Sequence, residues 1–202
     1  MQIDHQKQKF ILASNNKHKV KEIKTILEPF GISLLLLSDY PEIPDPPETG
    51  DSFSDNALEK ARYVYNWTQL PTIADDSGLS VDALNGAPGV HSKRYTPEAT
   101  AEANNSKLLQ ALKGVSKRGA HFTCAIAIVS DKKEHVLMGK CHGVIAMQPI
   151  GEKGFGYDPL FIPDAFPDRH MAELTESEKN TISHRGFALE GLIPALRTLG
   201  LL

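Results

Sequence analysis

The sequence predicts an α/β fold built on a mixed sheet. Three observations carry that expectation. Through the first half, short apolar runs alternate with amphipathic stretches, as they do when strands and helices take turns. In the second half, two long strand-like runs lie close enough to pair as a hairpin. The composition, 202 residues with 41% hydrophobic and 23% charged side chains, is that of a globular chain able to bury a core.

The elements follow in order. Residues 9–13 (KFILA) read as a short buried strand. Residues 16–28 read as a helix with Val20, Ile23 and Leu27 at helical spacing, stopped by Gly31 just after Pro29. Residues 33–37 are a second apolar run, and the Pro-rich acidic stretch 41–47 is a loop. Ser52 is placed to cap a helix carrying Phe53, Ala57, Ala61 and Val64 on one side. Residues 72–74 form a strand ending at Asp75-Asp76, residues 80–84 a separate strand, and residues 86–89 (GAPG) a turn. An alanine-rich amphipathic helix is expected over 97–112, closed by Gly114. Strands over 122–129 and 135–147 are joined across 130–134, and a glycine-containing loop covers 151–158. Thr175 and Glu178 have the spacing of a capping box. Ser183 caps a last helix with Ala188, Leu189, Leu192, Ile193 and Leu196 inward, which Pro194 should kink or break.

Bulk properties narrow the function. The net charge of −3 argues against a nucleic-acid coat or a membrane-surface protein, both of which usually display a basic face. It does not exclude an anionic small substrate, because local lysines and a bound metal can recruit a polyanion. The start MQIDHQKQKFILAS has no long apolar core of a signal peptide, and no apolar run is long enough to span a membrane. Cys124 and Cys141 have neither redox nor zinc-knuckle spacing and read as reduced structural thiols. A cytoplasmic chain that binds neither nucleic acid nor membrane is expected.

Five stretches carry candidate chemistry. Ser14-Asn15-Asn16-Lys17-His18-Lys19 lies between a strand and a helix start, where backbone N–H groups and the helix dipole suit phosphate. The P-loop glycines are missing, and a capped helix with a solvated lysine explains the stretch equally. Glu48, Asn56 and Lys60 place an acid beside polar groups on one helix face, suited to a hydrated metal or to an ordinary surface. Asp75-Asp76-Ser77-Gly78 follows an apolar strand. Adjacent carboxylates repel unless a cation or donor joins them, and such oxygen donors suit Mg²⁺. The alternative is a turn with Asp as a local cap. Gly154-Phe155-Gly156-Tyr157-Asp158 flanks an aromatic with glycines, allowing a flat ligand to stack on Phe155, or forming a tight hairpin. Lys179 and Ser183-His184-Arg185 set basic groups near the last helix, for phosphate, base edges or solvent. Cationic, carboxylate and aromatic-glycine elements together are the parts of a nucleotide hydrolase.

The blocks LASNNKHKVKEI, PETGDSFSDNALEKAR, IADDSGLSVDALNGAPGV, GFGYDPLF and AELTESEKNTISHRG, taken in order, strongly resemble the inosine triphosphate pyrophosphatase family. They run from near residue 12 to near residue 190. The resemblance implies one two-lobed domain over 1–202, with an elongated mixed sheet flanked by helices and a deep central cleft. It implies a homodimer, Mg²⁺, and hydrolysis of dITP, ITP and XTP to monophosphate and pyrophosphate, which cleanses the nucleotide pool. By match to the family's motifs, Ser14, Asn15, Asn16 and Lys19 hold the triphosphate. Glu48 and Asp76 hold the metal, and Asp76 accepts the proton. Ser77 touches the substrate. Phe155, Gly156, Tyr157, Asp158, Lys179, His184 and Arg185 surround the base. His91, Lys93 and Met171 depart from the family's pattern, at positions assigned to the cleft rim and dimer surface.

On this basis water attacks the α-phosphorus while Asp76 orients or deprotonates it, and Lys19 with Lys60 offsets charge on the leaving pyrophosphate. Arg185 has only donors, so it should accept a 6-oxo purine and reject a 6-amino one. Two rivals remain: a septum-formation-inhibitor type pyrophosphatase, which prefers pyrimidine or modified nucleotides, and an idle nucleotide-binding module.

Overall fold

A computed structural model describes residues 9–131 and 133–202. Six strands form one sheet: β1 (Lys9–Leu12), β2 (Ser33–Leu36), β3 (Thr72–Val81), β4 (Gly119–Ser130), β5 (Lys133–Ile145) and β6 (Phe161–Pro163), in the order β2-β1-β3-β4-β5-β6. β1 pairs in parallel with both β2 and β3, and β5 pairs antiparallel with β6, so the sheet is mixed as expected. The helices are α1 (Lys17–Leu27), α2 (Phe53–Thr68), α3 (Ala101–Ala111), α4 (Glu176–Ile182), α5 (His184–Glu190) and α6 (Leu192–Thr198).

The chain divides into two compact units. One runs through Asp75 and takes in residues 126–137 and 189–202; the other comprises 76–125 and 138–188. The first buries Phe10, Ile11 and Leu12 of β1, Ile23 and Leu27 of α1, Ala57, Ala61 and Val64 of α2, and Leu192 and Leu196 of α6. The second buries Leu79, Leu108, Leu112, Phe122, Cys141, Tyr157, Phe161 and Met171. Met171 is therefore a packing residue rather than part of a rim, while His91 and Lys93 are exposed. Cys124 and Cys141 are buried free thiols, and burial pushes the Cys141 thiol up to about 12. Among the described residues no helix is long and apolar enough to cross a membrane.

Local chemistry explains most boundaries. Asn16 caps α1, Ser52 caps α2, and Thr175 with Glu178 completes a capping box on α4. Gly31 adopts the left-handed conformation that ends the turn after α1.

Four expectations are corrected. β3 does not stop at Asp75-Asp76 but continues through Gly78 to Val81, taking in only Ser80 and Val81 of the separate strand expected over 80–84, while Asp82–Leu84 form a 3-10 turn. The Asp75 carboxylate is tolerated in mid-strand because Lys19 stands beside it. α3 starts at Ala101, not 97, because Thr100 supplies the capping side chain and Ala99 takes a positive φ just before it. The last helix breaks at Gly191 rather than at Pro194, which lies in the first turn of α6, where a missing N–H costs no helical bond. The β4–β5 connection is shorter than expected, since the strands extend to Ser130 and from Lys133. Strand β6 has no signal in the periodicity, being three residues long.

Candidate active site

In the first unit, the β1–α1 junction is organised by its own side chains. The Asn16 carboxamide accepts from the amides of His18 (3.0 Å) and Lys19 (3.4 Å). The Ser14 hydroxyl accepts from the Asn16 amide at 3.3 Å. Asn15 donates to Asp45 at 3.0 Å. As the N-cap, Asn16 turns its side-chain oxygen to the first-turn amides, and its side-chain NH2 is the group that can donate. Lys19 directs its ammonium to within 3.0 Å of Asp75, whose side chain is fully buried.

Lys60 and Glu48 form a second such pair in this unit, 3.0 Å apart. Lys60 shares the buried face of α2 with Asn56, whose carboxamide accepts from the Gly50 amide at 2.8 Å; Phe53 is only half-buried. The loop holding Glu48 is thus tied to α2, helped by Glu59, which accepts from the backbone and hydroxyl of Thr49.

Asp76 begins the second unit and is 7% exposed. Consecutive strand residues project to opposite faces, so Asp75 and Asp76 do not share one environment despite their adjacency. Ser77 accepts a hydrogen bond from Nη2 of Arg185 at 3.0 Å. Arg185 itself is only 1% exposed, the largest of the fully buried side chains.

The glycine-flanked loop is closed by Asp158. Its Oδ2 accepts from the Phe155 amide at 2.8 Å and from the Lys179 ammonium at 2.9 Å. Gly154 has φ +76°, and a Cβ there would run into that same carboxylate oxygen. The glycine therefore serves loop closure first, not ligand approach. The Lys179 ammonium lies 4.7 Å from the Phe155 ring centroid, so one ring face already meets a cation. Asn105 of α3 donates to the Gly156 carbonyl at 3.1 Å. The Tyr157 ring is buried and its hydroxyl donates to the Ser92 carbonyl at 2.9 Å, with burial raising its pKa. Its ring is thus part of the core of the second unit.

His184 opens α5, where Ser183 caps by accepting from the Gly186 amide at 3.0 Å. The His184 ring stacks on Phe122 of β4, with centroids 4.9 Å apart and planes inclined by 15°.

Sequence reasoning found the individual residues but not the pairings Lys19–Asp75, Lys60–Glu48 and Lys179–Asp158. Nor did it find the supporting Phe122, Ser92 and Asn105. No sequence spacing signals a contact between residues tens of positions apart.

Among the described residues no group of three or more His, Cys, Asp or Glu could hold a metal by itself. Mg²⁺ ordinarily takes one or two protein carboxylates and completes its shell with water and substrate phosphates. Glu48 and Asp76 each offer oxygen donors only, the ligand type that a hard cation such as Mg²⁺ prefers.

The model of the Ham1 family matches residues 10–195. The chain is 47% identical to the dITP/XTP pyrophosphatase of Mycobacterium tuberculosis over 197 residues, covering 95% of this chain and 96% of that one. It is 48% identical to the dITP/XTP pyrophosphatase of Geobacter sulfurreducens over 185 residues, 90% and 92% of the two chains. The solved structure of a HAM1 protein from Coxiella burnetii superimposes with a TM-score of 0.87 at 42% identity, covering 95% of this chain and 99% of that one. The Staphylococcus aureus Ham1 structure gives 0.86 at 37% identity, covering 95% and 100%.

Proposed function

The chain belongs to the Ham1 family, and from that premise we propose that it hydrolyses non-standard purine nucleoside triphosphates (dITP, ITP, XTP) to monophosphate and pyrophosphate. Its role is then to keep such nucleotides out of DNA and RNA. The observation that carries this reading is the likeness to curated dITP/XTP pyrophosphatases along nearly the entire chain.

The residues divide by task. Ser14, Asn15, Asn16 and Lys19 at the β1–α1 junction bind phosphate, with Lys19 and Lys60 offsetting the charge of the departing pyrophosphate. Asp76 orients the attacking water and takes its proton. Glu48 and Asp76 are the ligands for Mg²⁺, which when bound neutralises phosphate charge and lowers the pKa of water. Arg185, His184 and Lys179 meet the base. Arg185 offers donors only, so it matches the 6-oxo acceptor of hypoxanthine or xanthine and opposes the 6-amino donor of adenine. A buried donor left facing a donor costs several kcal/mol, enough for strong discrimination. The family resemblance also supports a homodimer working in the cytoplasm.

A panel of ITP, XTP, dUTP, dTTP and ATP, assayed for pyrophosphate release with Mg²⁺ and again with EDTA, tests the proposal. The expected result is fast turnover of ITP and XTP, slow turnover of the others, and loss of activity with EDTA. Preference for the pyrimidines would instead favour the septum-formation-inhibitor type of enzyme. Binding without pyrophosphate release would favour a sensing module.

A further inference from the structure

The His184-Arg185 pair is held from behind by two residues that no motif marks, Gly139 of β5 and Phe122 of β4. Gly139 shows no left-handed φ, so its backbone does not require glycine. Space does. A Cβ built there would run into the carbonyl oxygen of His184 and stand 2.5 Å from the Ala188 amide nitrogen. Both obstacles are helix backbone, which cannot swing aside as a flexible side chain can. The first turn of α5 therefore rests directly on the β5 backbone, and the missing side chain sets its depth.

Phe122 sets the second coordinate. It is buried in the core of its unit, and its ring is locked edge-on against Phe161 at 4.7 Å and 62°. Its face carries the His184 imidazole at 4.9 Å and 15°. Such offset stacking favours one ring plane over others. Beyond His184, the Arg185 guanidinium is buried and tied to Ser77. A guanidinium fork discriminates acceptors from donors only while its position is fixed, since a displaced fork can admit water or tilt away.

We propose that Gly139 and Phe122 are positioning residues for purine selection, setting the depth and ring plane at which His184 and Arg185 meet the base. The proposal rests on the assignment of His184 and Arg185 to base recognition. A purely structural role predicts lower stability with the ratio of ITP to ATP efficiency unchanged. A positioning role predicts a fall in that ratio among molecules that remain folded.

Four variants separate these cases, each assayed for kcat/KM with ITP and with ATP, alongside a thermal melt. Gly139→Ala forces α5 off the strand and is expected to lower the ITP:ATP ratio by about tenfold or more, since ångström-scale misplacement can cost ~100-fold. Phe122→Leu keeps an apolar filler but removes the flat face, and is expected to lower the ratio about three- to tenfold. Phe122→Tyr keeps the face and is expected to hold the ratio within about twofold of the parent, the rescue that stacking requires. Arg185→Met removes the donors and tests the underlying assignment. An unchanged ratio in Arg185→Met defeats the base assignment itself. A changed ratio there, with folded Gly139→Ala and Phe122→Leu both at the parental value, overturns the positioning role alone. Equal losses in the Leu and Tyr variants overturn the stacking role of Phe122. Should Gly139→Ala fail to fold, the Phe122 pair still decides.

Discussion

The residues proposed to meet phosphate, in the first unit, and those proposed to meet the base, in the second, are built on different principles. In the first, Lys19 pairs with the buried Asp75 of β3, and Lys60 pairs with Glu48 of a loop, which is partly exposed. Each lysine holds an acid that the proposed chemistry would pass to a metal or exchange for a phosphate. In the second, Asp158 is engaged by both Phe155 and Lys179, Arg185 is buried against Ser77, and His184 is stacked on a locked phenylalanine. Phosphates and metal ions are strongly charged and tolerate exchangeable partners. Telling a 6-oxo from a 6-amino group is a matter of one hydrogen bond, which demands groups already fixed before the ligand arrives.

The sharpest way to break that contrast is at Asp76. Asp76→Asn keeps the size and strand position but removes the proton acceptor, and kcat for ITP should drop by at least about a hundredfold. The ITP:ATP ratio should stay near the parental value, because the base-side groups are untouched. Steady-state pyrophosphate release with both nucleotides reads both numbers, and near-normal turnover would remove Asp76 from the chemistry.

A stability test comes next. The side chains of Lys179 and Asp158 are 10% and 5% exposed, so removing one member strands the other. Lys179→Ala should cost about 3 kcal/mol, the lower end for a broken buried pair, since the Phe155 amide still serves Asp158. The double variant Lys179→Met with Asp158→Asn should recover much of that loss. Urea melts of the three proteins measure it; a single variant as stable as the parent would show the base-side loop to be as loosely held as the phosphate side.

The smallest effect belongs to the α4 cap. Arg169, and then Thr175, hold the Glu178 carboxyl down at about 2. A carboxyl lowered in the fold adds stability that is present above its ordinary value near 4.5 and fades as pH falls toward 2. Glu178→Gln should therefore melt below the parent at pH 6, with the gap narrowing below about 4.5 and closing only near pH 2. A gap that stays constant over that range would mean the cap acts without its charge.

Much of this was legible in the chain. The caps at Ser52 and Thr175 are local chemistry, and the structure has both of them. The ordered blocks around Ser14, Glu48, Asp76, Phe155 and Arg185 identified the family, because five motifs in one order constrain the whole chain. What failed was the strand at Asp75-Asp76, where two charges and a glycine look like a turn. The cation beside Asp75, Lys19, lies 56 positions away. The hydrogen bond from the Tyr157 hydroxyl to Ser92 was likewise not legible in the chain.

The amino-acid sequence alone determined the alternation of strands and helices, their caps and the family, since periodicity, capping and motif order act within a few residues of chain. Only the tertiary structure decided which lysine meets which acid, why residue 139 carries no side chain, and which ring supports His184. Those outcomes depend on distances through space between segments tens of residues apart, and no local propensity encodes them.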